Sequence, residues 1–339
     1  MISIIIPVFN NTKDEIIRCI KSTDNPVFDD VEIIVIDDGS SSDCASYLDE
    51  IARQYRKIKV YHTLNKGVSA ARNFGVNKSK GQYICFLDAD DFLTDQFWID
   101  LRRHINDIKK YSIIYGLVYP RSENTIKNAE NKMKIIEKAD KALINKLYRH
   151  MFDLGEKTFI KRFGYISRGP VARLVRRDIA LQIKFDENLS IGEDMIWNLK
   201  ILQSSNSIGI IYNTWYIYVK NYHSVTHSFS LKYIDQYRNM LNELWNYANS
   251  EDLKFATLNK TYQCLREIAD AKFNLNNSSF LADIVYLNHI ASSFPFSKLW
   301  EEKHIILKYA TIKNLILLFL YRIGVLFIIL KLHYNLRRE

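Results

Sequence analysis

The chain has 339 residues, of which 47% are hydrophobic, enough for one large domain or for one domain with an appendage. Its formal net charge of +9 favours anionic partners such as nucleotides, phosphates or anionic lipid. Nucleic acid fits the charge alone, but the basic residues are dispersed and no recognition motif is present. We therefore expect no nucleic-acid partner.

The four cysteines, Cys19, Cys44, Cys85 and Cys264, show neither paired nor metal-ligand spacing. Cys19 and Cys85 lie in apolar patterns, which indicates small core residues. The first apolar run is too short for a signal peptide and has no basic region ahead of it. These features favour a protein of the reducing cytoplasm.

The first part of the chain alternates strand-like and helix-like segments. Apolar, β-branched runs cover residues 2–9, 31–36 and 58–62, and helical spacing covers 12–23 and 42–55. This alternation predicts βαβ units and a parallel sheet. Because the strands are apolar throughout, we expect both faces of the sheet to be covered.

A further apolar run, Tyr83–Leu87, ends in Asp88-Ala89-Asp90-Asp91. Open α/β sheets bind ligands at the carboxyl edge of their strands, and carboxylate oxygens there suit a divalent cation carrying a diphosphate. An isolated D-x-D is more often an acidic surface turn after a strand. The segments upstream are what favour a binding site here.

Four motifs occur in order, each at a strand end or a helix start: P-V-F-N from Pro7, V-I-D-D-G-S from Val35, N-K-G-V-S-A-A-R-N from Asn65, and F-L-D-A-D-D from Phe86. In this order they resemble the family 2 glycosyltransferases of bacterial surface-polysaccharide type. Ile191-Gly192-Glu193-Asp194 extends the resemblance to about residue 220. It implies an α/β fold of the GT-A (Rossmann-like) class, a mostly parallel sheet flanked by helices, with a helical C-terminal extension.

The resemblance also implies roles for the donor side of the site. Asp90 coordinates Mn²⁺ or Mg²⁺, and Asp88 holds the ribose or the water shell of the metal. Asp38 accepts a hydrogen bond from the uracil ring, above a floor that includes Pro7 and Phe9. For Phe9 an ordinary core position remains an alternative, and Asp37–Ser40 also fits a turn that caps the next helix.

Arg72 opens a helical pattern after Gly67, where a helix N-terminus and a guanidinium both favour a nucleotide. Lys66 is a second candidate of this kind. The alternative for Arg72 is a surface pair with a carboxylate. Asp91 is either a helper of the metal site or a cap for the helix that follows.

On the acceptor side, Glu193 and Asp194 are adjacent carboxylates at a predicted helix start. The resemblance makes Asp194 the general base that deprotonates the acceptor hydroxyl, so that direct attack inverts the anomeric carbon. Glu193 then positions Asp194 or the acceptor. Simple capping of the helix dipole is the alternative.

Two further segments are candidates for anion contacts. The resemblance places a loop that closes over the diphosphate near His223 and His227, and His227 is a candidate metal or phosphate ligand, with a solvated loop histidine as the alternative. The basic segment Lys161–Arg177 either meets a phosphorylated acceptor or is solvated.

Beyond the motifs, periodicity predicts helices at 97–111, 194–204 and through much of 230–290, strands at 113–119 and 208–218, and a polar loop or exposed helix at 121–141. We divide the chain into a catalytic domain at 1–220 and a mainly helical region at 221–339.

The end of the chain, about 310–335, is rich in Leu, Ile and Phe but contains Arg322. A central Arg costs roughly 2.5–3.5 kcal/mol on insertion scales, which disfavours a transmembrane helix. An amphipathic helix lying on the membrane is preferred, and a helix docked on the protein's own core is the alternative.

The expected function is an inverting, metal-dependent glycosyltransferase. It moves a sugar from a UDP-sugar to a lipid-linked or growing glycan at the cytoplasmic face of the membrane, and the sequence leaves a homo-oligomer open. A nucleotidyltransferase would need a Gly-rich basic loop, which Asn10–Lys13 does not supply. A catalytically silent scaffold is disfavoured by the presence of both Asp90 and Asp194.

Overall fold

A computed structural model describes residues 1–24, 28–121, 141–151, 166–219, 231–274, 279–309 and 325–328. These residues form two compact units, one ending at Val219 and the other beginning at Leu231. Among them, no helix combines the length and the apolar character that crossing a bilayer requires.

The first unit is built on a mixed sheet. Its strands are β1 Ile2–Val8, β2 Val31–Asp38, β3 Ile58–Thr63, β4 Tyr83–Phe86, β5 Phe92–Leu93, β6 Ile113–Arg121, β7 Arg173–Arg176 and β8 Ile208–Val219. They lie side by side in the order β3-β2-β1-β4-β7-β6-β8-β5.

The strands β3, β2, β1 and β4 pair in parallel, as the βαβ pattern predicts. Every residue of β2 is buried, and so is every residue of β1 except Pro7, so both faces are covered as expected. The strand β7 is antiparallel to both β4 and β6, and β5 is antiparallel to β8. The strands β6 and β8 again pair in parallel.

The helices of the first unit are α1 Lys13–Thr23, α2 Ser42–Gln54, α3 Val68–Lys78, α4 Asp95–Ile108, α5 Lys141–Met151, α6 Arg177–Gln182 and α7 Glu193–Gln203. The helix α1 begins with a capping box in which Thr12 and Glu15 satisfy each other's backbone N–H groups. The helix α4 begins two residues before the predicted Phe97, because the Thr94 hydroxyl accepts the N–H of Phe97 and caps it.

At the carboxyl edge of the parallel strands, the loops after β1, β2 and β3 hold one another. The N–H of Asn10 donates to Ser40 Oγ at 3.0 Å, and the N–H of Ser41 donates to Asn10 Oδ1 at 2.8 Å. Gly39 has φ of 73°, and a Cβ there would lie 2.5 Å from the backbone nitrogen of Asn65. These contacts fix the loops relative to one another without a bound ligand.

The second unit is helical, as predicted. It contains α8 Ile234–Tyr247, α9 Glu251–Asn274, α10 Phe280–Ser292, α11 Lys298–Glu301 and α12 Lys303–Tyr309. The helix α9 packs against α8, α10 and α12. Leu326 and Phe327 are each 1% exposed, which agrees with the docked-helix alternative at these two positions.

Candidate active site

The acidic turn after β4 is held from two sides. The N–H of Asp91 donates to the carbonyl of Asp88 at 3.1 Å and closes the turn. The guanidinium of Arg18, on α1, donates to the carbonyl of Asp90. The carboxylates of Asp88 and Asp90 remain partly exposed, as binding a ligand from solution requires.

Asp91 ties this turn to β8. Its side chain is buried and accepts hydrogen bonds from the Tyr216 hydroxyl at 2.6 Å and from the N–H of Val219 at 2.7 Å. Burial, followed by the negative charges of Asp88 and Asp90, raises the pKa of Asp91 to about 8. The capping alternative for Asp91 is wrong, since Thr94 caps α4.

Arg72 joins two acidic motifs that are far apart in the sequence, those of Asp88 and Glu193. It is only 5% exposed, its Nη2 donates to Asp88 Oδ1 at 2.9 Å, and its Nη1 lies 3.7 Å from Glu193 Oε1. Burial lowers the pKa of Arg72, but the charges of Asp88 and Glu193 outweigh this and raise it. The alternative predicted an Arg72 on the surface, paired with a carboxylate. Arg72 does pair with a carboxylate, that of Asp88, but it is buried.

Two buried nitrogen atoms of the Arg72 guanidinium, Nε and Nη1, have no hydrogen-bond partner within the described residues. A buried donor without an acceptor costs about 1–3 kcal/mol, so such groups need an explanation. A phosphate oxygen is one acceptor that would satisfy them.

Glu193 and Asp194 form the first turn of α7, as predicted, after Gly192 in the left-handed region. Burial, followed by the charge of Asp194, raises the pKa of Glu193 to about 7. Burial also raises the pKa of Asp194, and the positive charge of Arg72 opposes that rise. Asp194 Oδ1 accepts the N–H of Met195 at 2.7 Å. The pKa of Glu193 thus lies near neutral pH, where general acid–base catalysis is most effective, and that of Asp194 is shifted in the same direction.

The two carboxylates at the end of β2 hold two different loops. Asp37 accepts the N–H of Ser40 at 2.9 Å and contacts His62 Nδ1 at 2.7 Å. Asp38 accepts the N–H of Lys66 at 2.9 Å and that of Gly67 at 2.8 Å, one on each oxygen. Asp38 therefore fixes the turn that precedes α3, next to the position where we expect the uracil ring.

The predicted floor residues lie at the end of β1. Pro7 is half-buried, in register with Ile36. Phe9 is 52% exposed, so the core alternative for this side chain is wrong and its ring is accessible. A cavity of about 310 Å³ opens beside Asp38; its lining includes Leu64, Lys66, Ala70, Phe74 and Lys184.

Some predicted site residues cannot be placed. His223 and His227 lie outside the described residues, as do residues 161–165 of the basic segment and the predicted polar stretch at 122–140. In the part of the chain that is described, no group of three or more His, Cys, Asp or Glu side chains could hold a metal by itself. Asp88 and Asp90 would have to share a cation with a ligand and water.

Comparisons with known proteins follow the same lines. The family described as Glycosyl transferase family 2 matches residues 3–180. "Uncharacterized glycosyltransferase EpsJ" of Bacillus subtilis is 25% identical over 228 residues, which cover 67% of this chain and 63% of EpsJ. "Glycosyltransferase GlyG" of Streptococcus pneumoniae is 29% identical over 125 residues, which cover 37% of this chain and 41% of GlyG. The chain thus matches less than two thirds of the length of these relatives.

Among solved structures, S. aureus TarS 1–349 in complex with UDP-GlcNAc has a TM-score of 0.61 with 17% sequence identity. The superposition covers 98% of this chain and 91% of that one. The likeness confirms the predicted GT-A fold class and the helical C-terminal region. At this identity it carries the fold alone.

Proposed function

Since this chain belongs to glycosyl transferase family 2, we propose that it transfers a sugar from a UDP-sugar to a hydroxyl group of a lipid-linked or growing glycan. The TarS structure contains UDP-GlcNAc on the same fold, which supports a nucleotide sugar as the donor. The relatives that carry the name glycosyltransferase support the reaction class.

The observation that carries the proposal is the Arg72 bridge. One buried guanidinium contacts Asp88, at the predicted donor site, and approaches Glu193, beside the predicted acceptor base. Group transfer needs the donor and the acceptor base in one fixed geometry. A buried side chain that contacts both acidic motifs supports such a geometry.

The side chains present fit a divalent cation that carries a diphosphate. Mg²⁺ and similar ions in nucleotide sites typically take one or two protein carboxylates and complete their shell with phosphate oxygens and water. Asp88 and Asp90 provide such a pair, and their charges raise the pKa of Asp91 through repulsion that a cation would relieve. When bound, the cation would neutralise charge that develops on the leaving diphosphate.

The nucleoside end fits the surface beside Asp38. The backbone N–H donors of Lys66 and Gly67 fix the Asp38 carboxylate, while Phe9 offers an exposed ring and Pro7 a half-buried one. In this proposal Asp38 accepts from the uracil N–H, and Arg72 and Lys66 contact the phosphates. His227 remains a candidate metal or phosphate ligand.

On the acceptor side, Asp194 would accept the proton of the attacking hydroxyl, and Glu193 would position it. A single base acting on a direct attack gives inversion at the anomeric carbon. The chain's positive charge and its apolar end support a peripheral position at the inner face of the membrane, in surface-polysaccharide synthesis. No described observation bears on a homo-oligomer.

Calorimetric titration with UDP and Mn²⁺ tests the donor site. We expect UDP to bind the wild type more tightly with Mn²⁺ than without it, and we expect Asp90→Asn to lose this gain. The matched control is Asp95→Asn, which removes an exposed carboxylate of α4 and should keep the gain. If UDP binds neither with nor without metal, the scaffold alternative replaces the proposal.

A further inference from the structure

Arg173, in β7, is a buried cation that hydrogen-bonds to carbonyl and amide oxygens. It is 1% exposed, and its guanidinium donates to the carbonyls of Val171 at 3.2 Å, Ser167 at 2.7 Å and Gly169. It also donates to the Asn198 side chain. The sequence shows Arg173 only as one member of a basic segment, and the solvated alternative is wrong for this residue.

No carboxylate is among the hydrogen-bond partners of Arg173 within the described residues. The carbonyls and the Tyr115 ring, whose centroid lies 4.7 Å from the guanidinium carbon, stabilise this buried charge in place of a hydrogen-bonded carboxylate. Within the described residues, the carboxylate that acts on Arg173 through space is that of Asp194, and the attraction is favourable for both charges. Tyr115 acts more strongly on Arg173, and Arg72 acts more strongly on Asp194. Burial lowers the pKa of Arg173, but a guanidinium stays protonated in proteins.

The loop from Ser167 to Pro170 connects these two residues physically. A Cβ added to Gly169 would lie 3.5 Å from Asp194 Oδ2, so the backbone of this loop is next to the carboxylate. Arg173 holds the same residue by its carbonyl. Asn198, one turn further along α7 than Asp194, donates to the carbonyls of Arg168 and Gly169 and completes the clamp.

From this geometry we propose that Arg173 is a positioning residue for the proposed acceptor base. Its guanidinium holds the Ser167–Pro170 loop against the start of α7 and places a fixed positive charge near Asp194. The loop and the charge thereby hold the carboxylate of Asp194 in place for the proposed acceptor. This inference rests on the proposed function for its catalytic meaning, but the charge coupling itself can be measured without any reaction.

Several groups within the described residues act on Asp194, so a double-mutant cycle is needed to isolate one of them. They are the charged side chains of Glu193, Arg72, Asp88 and Arg173 and the N–H of Met195. We would measure urea unfolding at pH 8 for Arg173→Met, Asp194→Asn and the double variant. We expect Arg173→Met to lower the unfolding midpoint clearly more in the wild-type background than in the Asp194→Asn background.

The matched control cycle pairs Arg173→Met with Asp88→Asn, because Asp88 belongs to the same acidic cluster but contacts Arg72. There the two changes should be additive. If Arg173→Met does not fold, Arg173→Gln replaces it, since its amide keeps one N–H donor for the loop. Equal coupling in the two cycles, or none with Asp194, overturns the inference.

Turnover separates the inference from the proposed function. With UDP-sugars as the probe, we expect Arg173→Met to lower kcat for UDP release by about 10²-fold or more, the lower range for general base catalysis, with the KM for the donor within about threefold. Arg173→Lys, which keeps the charge, should recover part of kcat. Coupling without UDP release from the wild type would reject the function and keep the charge pair. UDP release from the wild type, together with no coupling between Arg173 and Asp194, would support the proposed function and reject the positioning role of Arg173.

Discussion

Arg72 is the residue on which the proposed site depends most at the scale of single side chains. A guanidinium presents several donors in a fixed plane, so one side chain can contact Asp88, approach Glu193 and keep the N–H groups of two nitrogen atoms for a ligand. Lysine has the charge without this geometry. The residue therefore serves the fold and the site at once.

We expect Arg72→Met to lower the free energy of unfolding by about 1–3 kcal/mol, because it leaves Glu193 and the partly exposed Asp88 without their cationic partner. Arg72→Lys should lose less, since it keeps the charge. Urea unfolding at pH 8 measures both. A variant Arg72→Met that is as stable as the wild type would show that the bridge contributes nothing to folding.

A second prediction at this scale concerns the pair His62 and Asp37. The hydrogen bond to Asp37 raises the pKa of His62 from 6.5. Burial alone would raise the pKa of Asp37, but hydrogen bonds from Ser40 and His62 outweigh burial and lower this pKa from 3.8. The His62 contribution is complete below pH 6.5 and is lost as the pH rises through its folded pKa. The Asp37 contribution is complete above pH 3.8 and is lost as the pH falls through its own.

The stability difference between wild type and His62→Gln should thus be largest between pH 3.8 and 6.5 and shrink on either side. Because His62 is 41% exposed, solvent screening limits the difference to about 1 kcal/mol or less. Thermal unfolding across pH measures it, with the exposed His289→Gln as a control for removing a histidine. A difference that does not vary with pH contradicts the assignment.

At the scale of elements, the loops at the carboxyl edge determine whether the site exists before ligand binding. Asp38 fixes the turn before α3, and Asn10 and Gly39 lock the loops after β1 and β2. The parallel strands bring these loops together because their carboxyl ends share one edge. A substitution that distorts one of these loops should therefore weaken nucleotide binding at the proposed site.

Two glycines of this edge allow a controlled test of that rigidity. Both have positive φ, but a Cβ on Gly39 would clash with Asn65 at 2.5 Å, whereas a Cβ on Gly67 meets no described atom within 4 Å. The positive φ costs each alanine about 1–3 kcal/mol, and the clash adds about 1–3 kcal/mol for Gly39→Ala alone. Chemical unfolding and UDP titration should both show the larger loss in Gly39→Ala. Equal losses would mean that the loops move apart freely.

The sequence predicts those parts of the fold and the site that local pattern controls. The runs of β1 and β2 follow from their apolar pattern, and α7 begins at the predicted pair of carboxylates. The helix α3 begins at Val68, before the predicted Arg72, and no side chain caps it. The antiparallel insertion of β7 does not, because strand pairing between distant segments has no local signal. For the same reason the partner of Asp91, 125 positions away, and the burial of Arg173 could not be predicted.

For the whole molecule, the net charge of +9 and the apolar, basic end suggest contact with an anionic surface. Near such a surface each basic residue contributes about 1 kcal/mol, and the contribution decreases with salt. The burial of Leu326 and Phe327 limits which part of this end could meet lipid. The basic residues that follow in the sequence, Lys331, Arg337 and Arg338, are the charges of this end that a substitution can remove.

We expect the full chain to sediment with vesicles containing phosphatidylserine at low salt and to be released at high salt. Replacing Lys331, Arg337 and Arg338 together by Gln should weaken this binding by about 10²-fold, from about 1 kcal/mol per charge. The matched control replaces three other exposed basic residues by Gln: Arg102 and Arg103 in α4, and Lys109 directly after it. An equal effect of the two triple variants would assign the binding to overall charge.

UDP release from a panel of UDP-sugars in the presence of Mn²⁺ or Mg²⁺ tests the central claim most directly. The account predicts slow release from one donor by the wild type, its loss with a chelator, and its loss in Asp90→Ala and Asp194→Ala. Asp95→Asn should release UDP like the wild type. The absence of release from every UDP-sugar, with mixed glycolipid acceptors also present, would contradict the assignment of this chain as a UDP-sugar-dependent transferase.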